Sequence, residues 1–209
     1  MEVFIGALLF EIHSHYKNAI TSNHKRLGVI ACFPRRDIVR NHQRLTRAAL
    51  LLAIMLIFQS IRLFVPVPPF ISMFVIGSAV NACLLLAVER ASWRLALVLA
   101  VIAPGIAYLQ QVLPLPIFIL PVAAANSAYV LGYYMGNRFL GYWPAVGIAS
   151  VAKAAAMFVM VTWVVQWVDL PAKVTAALSA MFGWPQLITG LGGGIIGYVI
   201  LKRLAGGKK

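Results

Sequence analysis

The sequence predicts an all-α integral membrane bundle of about six transmembrane helices, with both termini cytoplasmic. Three observations predict it. The 209 residues are 62% hydrophobic and only 11% charged, against roughly 45–50% apolar and about 25% charged in a soluble domain. Apolar runs recur at about the 20-residue length that a bilayer-spanning helix needs. Basic residues gather at alternate ends of those runs, as the positive-inside rule places them on a cytoplasmic face. The net charge of +13 is therefore read as topology. It is not read as nucleic-acid binding, because no motif of a nucleic-acid-binding fold is present.

Residues 1–43 form a mixed, basic N-terminal tail ahead of a transmembrane domain at 44–209. MEVFIGALLF is apolar but too short to span, and no small-residue cleavage site follows it, so it is not read as a signal peptide. An amphipathic surface segment, a disordered tail and an early start codon (Val39 being the alternative start) all fit this composition.

Span 1 is expected near 45–65, turned by VPVPP into span 2 near 70–88. Glu89, Arg90 and Arg94 mark a charged turn before span 3, at about 93–112. The uncharged LPLP loop leads to span 4, at about 116–136, which ends at Asn137 and Arg138. Span 5 runs near 142–168, a longer loop holds Asp169 and Lys173, and span 6 runs near 183–201 before Lys202, Arg203, Lys208 and Lys209. The 1–2 and 3–4 loops carry no charge and the 5–6 loop one of each sign, so the basic side is cytoplasmic. An even span count agrees. So do the aromatics: Trp93, Tyr133, Tyr134, Tyr142 and Trp143 near the inner interface, and Tyr108, Trp163, Trp167 and Trp184 near the outer one. No tandem or inverted repeat is visible, which argues against repeat-built secondary transporters.

What is missing narrows the chemistry. The predicted spans hold no Asp or Glu, and ion-coupled carriers usually need buried carboxylates. All four histidines (His13, His15, His24, His42) precede span 1, and Cys32 and Cys83 make neither a metal site nor a disulfide framework. There is no G-x-x-x-x-G-K-[ST], H-E-x-x-H or G-x-S-x-G motif. The expectation is a non-enzyme with no catalytic residue, metal or cofactor.

The intramembrane polar residues are then the candidate solute-binding set. They are Gln59 and Arg62 on one face of span 1, Asn81 in span 2, Gln110 and Gln111 at the outer end of span 3, Asn126 in span 4, Lys153 in span 5 and Gln186 in span 6. Converging in the outer half, they would line a site for a small neutral or anionic solute. Arg62 reads equally as a headgroup anchor, and Asn81 and Asn126 read more readily as interhelical hydrogen-bond glue. Trp163 reads as an interface anchor or as a platform for a flat ring. Lys153 lies at least eleven residues from either end of its expected span, a long reach for snorkelling, and an intramembrane cation is by default a functional hypothesis.

Two small-residue patterns complete the reading. Ala49 and Ala53 form an A-x-x-x-A strip in span 1. Gly190 with Gly194, and Gly193 with Gly197, form overlapping G-x-x-x-G pairs in span 6. Such strips let helices approach closely, and packing inside the bundle is the reading for the glycines.

Basic residues before span 1, A-x-x-x-A within it, a proline-rich 1–2 loop, about six spans and no ATPase motif together resemble the substrate-binding S components of energy-coupling-factor (ECF) transporters, a class of bacterial vitamin importers. The resemblance covers roughly 44–204. The stretches FVPVPPFISMFVIGSAVNACLLL, LPLPIFILPVAAANSAYV and WPQLITGLGGGIIG are similar to members whose solute is unassigned. The resemblance implies a multi-pass protein of the bacterial cytoplasmic membrane that captures a vitamin-like micronutrient in its outer half, under the 1–2 loop. It implies docking through Ala49 and Ala53 on a transmembrane T subunit driven by two cytoplasmic ATPase subunits. The rival expectation is a non-catalytic membrane scaffold of the rod-shape MreD type, similar in size and span count, in which Lys153 and the amides would be packing groups.

Overall fold

A computed structural model of the chain describes residues 35–64, 68–111, 113, 115–167 and 182–206. The described elements are α1 (Arg35–Phe64), α2 (Pro69–Arg90), α3 (Trp93–Leu109), a 3-10 turn (Pro116–Phe118), α4 (Ile119–Leu140), α5 (Tyr142–Trp167) and α6 (Pro185–Gly206). No strand occurs among the described residues. Five of the helices are long and apolar enough to cross a membrane, and α3, at 17 residues, is apolar but shorter. The described residues are thus all-helical, with the helices of a multi-pass membrane protein. It divides into two compact units, Met1–Gln43 and Arg44–Lys209. Of the first, only Arg35–Gln43 lies among the described residues, as helix.

Local chemistry sets the helix ends. Pro69 opens α2, where a missing N–H costs nothing and the fixed φ suits the first turn. The Ser92 hydroxyl accepts from the Leu95 amide at 3.2 Å and caps α3. Gly141, at φ +83°, lets the chain leave α4 and re-enter α5 without the steric cost a side chain would meet. Helix α3 stops at Leu109, short of the expected 112. Gln110 is its C-cap, and Gln111 turns left-handed at φ +56°, its amide donating to Tyr108 O at 2.9 Å. Helix α6 runs from Pro185 to Gly206, past the expected end of its apolar run at 201.

Within the second unit, α2 to α6 close a ring. Chain neighbours pack in order, and α6 returns against both α5 and α2. From Val80 to Ala87 every residue of α2 is buried, the pattern of a helix enclosed on all sides. Small residues set the close approaches. A Cβ on Gly132 or Gly136 of α4 would fall 3.1 Å from Ala149 Cα or 2.9 Å from Ala145 Cα of α5. Gly190 and Gly194 press on Ser150 and Val146 of α5, while a Cβ on Gly193 would fall 2.9 and 3.0 Å from Ala82 N and Ser78 O of α2, and Gly197 faces the Tyr142 hydroxyl. Tyr129 and Tyr142 donate to the carbonyls of Gly190 and Gly194 at 2.7 and 2.6 Å. The glycine run thus seats α6 between α2 and α5.

Helix α1 stands outside this ring. A narrow stripe of Ala48, Met55 and Gln59 is buried, the spacing of one helix face. Arg47 donates to the Arg90 carbonyl at 3.1 Å at one end, and Gln110 Nε2 donates to Ser60 Oγ at 2.8 Å toward the other. Ala49 and Ala53 both lie exposed, away from the ring.

Candidate functional site

Along α5, the buried positions Val146, Ser150, Lys153, Met157, Val161 and Val164 recur every three or four residues. That spacing makes one inward stripe, and it carries Lys153 to the bundle interior, where it is only 4% exposed. Its Nζ donates to Asn81 Oδ1 of α2 at 2.6 Å and to Asn126 Oδ1 of α4 at 2.9 Å. It lies 5.6 Å from the centroid of the Tyr129 ring, within cation–π range. An ammonium taken from water must recover its lost hydration through such acceptors. Both side-chain acceptors here are neutral amides. Glu89 sits at the far end of α2, where one carboxylate oxygen accepts from Tyr133 Oη at 2.7 Å and Asn137 Nδ2 at 2.8 Å.

Beside this knot lies a cavity of about 140 Å³. Its polar lining comes from five helices: Gln59, Ser72, Asn126, Lys153, Gln186 and Thr189. Its apolar walls include Met73, Ile76, Val80, Met157 and Phe182. Gly77 admits Thr189, whose Cγ2 would be 2.9 Å from a Cβ placed there. Gln59 is 5% exposed and its Oε1 has no hydrogen-bond partner. Buried acceptors are rarely left so, and this one borders the cavity. Among the described residues no cluster of His, Cys, Asp or Glu suits a metal ion.

The sequence-derived set is brought together only in part. Gln59, Asn126, Lys153 and Gln186 line the cavity. Asn81 sits behind it, holding Lys153, with its own Nδ2 unpartnered. Gln110 is turned to Ser60 of α1, and Gln111 is exposed at the end of α3. Trp163 is half exposed and borders a separate shallow groove with Pro116 and Val164. The Arg62 side chain lies outside the described residues. Sequence reading missed Ser72, Gly77, Met157, Phe182 and Thr189. Thr189 had a signal: it follows Gln186 by three and so shares its helix face.

No protein family, curated protein or solved structure matches the chain.

Proposed function

We propose that the chain is the solute-binding S component of an ECF-type importer in a bacterial cytoplasmic membrane. On this reading it crosses the membrane six times, α3 being the shortest span, with both termini cytoplasmic. It captures a small, vitamin-like solute, neutral or anionic, in the cavity between α1 and the helix ring, and docks on a T subunit driven by two ATPases. The observation that carries the reading is the cavity itself: a largely apolar pocket among the helices that six polar side chains enter, bordered by a buried amide oxygen with no hydrogen-bond partner. A bound solute that carries a donor would satisfy that oxygen. Two further observations support it. Ala49 and Ala53 face away from the ring, free for a partner helix. Arg47 meets the end of α2 at Arg90, so basic helix ends share one side.

The test is co-purification from the native host. The tagged chain is expressed with the T subunit and ATPases and solubilised in mild detergent. A four-protein complex is expected, and Ala53→Trp should abolish it while leaving the thermal unfolding of the isolated chain unchanged. A chain that runs alone, or with cell-wall proteins, would put the MreD-type scaffold reading in its place.

A further inference from the structure

The cavity's polar groups are unequal, and their imbalance specifies the solute that the solute-binding reading above requires. Among the described residues, Lys153 is the one cationic side chain on its lining, and no carboxylate accompanies it there. An ammonium has three protons to donate. Two go to Asn81 and Asn126, which are uncharged. Glu89 is held by Tyr133 and Asn137 at the other end of α2. A second source of positive potential adds to the first. Helix α6 opens at Pro185 with no acidic residue in its first turn, and Gln186 and Thr189 from its start line the cavity. The N-terminal end of a helix carries a partial positive charge, and low surrounding polarity strengthens it.

Size and wall chemistry narrow the choice. About 140 Å³ is close to the roughly 150 Å³ cavity that admits a benzene ring. Met73, Ile76, Val80, Met157 and Phe182 offer an apolar surround. At another point of the lining, the unpartnered Gln59 Oε1 is an acceptor awaiting a donor. We infer that the cavity takes a compact single-ring monocarboxylate. Its carboxylate pairs with Lys153 near the start of α6, its ring lies among the apolar walls, and a ring hydroxyl or N–H donates to Gln59. An amine of the same shape meets an ammonium and a positive helix end. An amide of the same shape leaves Lys153 without a counter-charge.

Isothermal titration of the purified chain in lipid nanodiscs tests this with three size-matched probes: 4-hydroxybenzoate, 4-hydroxybenzamide and 4-hydroxybenzylamine. The acid is expected to bind about tenfold or more tighter than the amide, and the amine not at all. Lys153→Met should erase the preference for the acid. Because Lys153 also ties three helices, Gln186→Leu and Met157→Trp provide a second test that leaves the asparagine contacts in place. The first should weaken acid binding and the second should block it by filling the cavity. An amide that binds as well as the acid, an amine that binds, or no binding by any probe overturns the inference. Co-purification separates the two readings. A chain that joins the T subunit but prefers the amide keeps its importer role and loses the carboxylate. A chain that binds the acid but runs alone keeps the site and loses the importer.

Discussion

Lys153 Nζ lies 2.6 Å from Asn81 Oδ1, joining the middle of α5 to the middle of α2 across 72 residues of sequence. With Asn126 at 2.9 Å, the contact ties three of the five ring helices at one buried point. The two amide acceptors are what make the buried ammonium tolerable, so losing either one leaves a charged donor unmet. Asn126→Leu removes one acceptor from a buried ammonium and should cost about 1.5–3 kcal/mol. Adding Lys153→Met to that variant removes the unmet donor and should recover part of the loss. A double-mutant cycle on thermal unfolding in detergent checks this, with an expected coupling of about 0.5–3 kcal/mol. Additive losses would show that the two residues do not act as a unit.

Glycines on the neighbouring helices α6 and α5 should respond in opposite ways. A Cβ at Gly193 meets backbone on α2, with Ala82 N at 2.9 Å and Ser78 O at 3.0 Å, so the neighbours cannot step aside. Gly193→Ala should destabilise by about 1–3 kcal/mol through overpacking. At Gly147, on α5, nothing lies within 4 Å. Gly147→Ala should be neutral or stabilise by up to about 1 kcal/mol through lower backbone entropy. Unfolding midpoints measured side by side decide it, and equal losses at both sites would remove the packing argument for α6.

At the other end of α2, Glu89 accepts hydrogen bonds from both Tyr133 and Asn137 on α4. Tyr133 is fully buried, so removing its acceptor strands a hydroxyl. Glu89→Ala should cost about 1–3 kcal/mol, and Glu89→Gln, which keeps a carbonyl acceptor, distinctly less. A Glu89→Gln loss as large as that of Glu89→Ala would mean that charge, not acceptance, is what Glu89 supplies.

Helix starts were legible from where the apolar runs begin: those expected near 70, 93 and 142 open at Pro69, Trp93 and Tyr142. The end of α3 was not, because Gln111 takes a left-handed conformation that its residue type does not announce. Lys153 was legible as an anomaly from its depth, but its partners were not, since depth along a helix says nothing of the direction a side chain takes around it. The same blindness put Gln110, Gln111 and Trp163 in the candidate site at the right depth, whereas the helices turn them elsewhere. Gly132-x-x-x-Gly136, which seats α4 on α5, was readable by the rule applied to Gly190–Gly197, but the denser glycine run drew the reading to α6. That α6 closes the ring against α2 depends on contacts more than a hundred residues apart, which no local pattern encodes.

Gln59 gives the sharpest separation of function from stability. Its amide oxygen is buried and unpartnered beside the cavity, which costs about 1–3 kcal/mol relative to a satisfied group. Leucine fills nearly the same volume and carries no such cost. Gln59→Leu should therefore hold or raise the unfolding midpoint, by up to about 2 kcal/mol in stability, while weakening solute binding about tenfold. Thermal unfolding and titration of the same preparation check both halves. A variant that loses stability but binds as before would make Gln59 a packing group of α1, and the polar lining would then have to serve the fold rather than a solute.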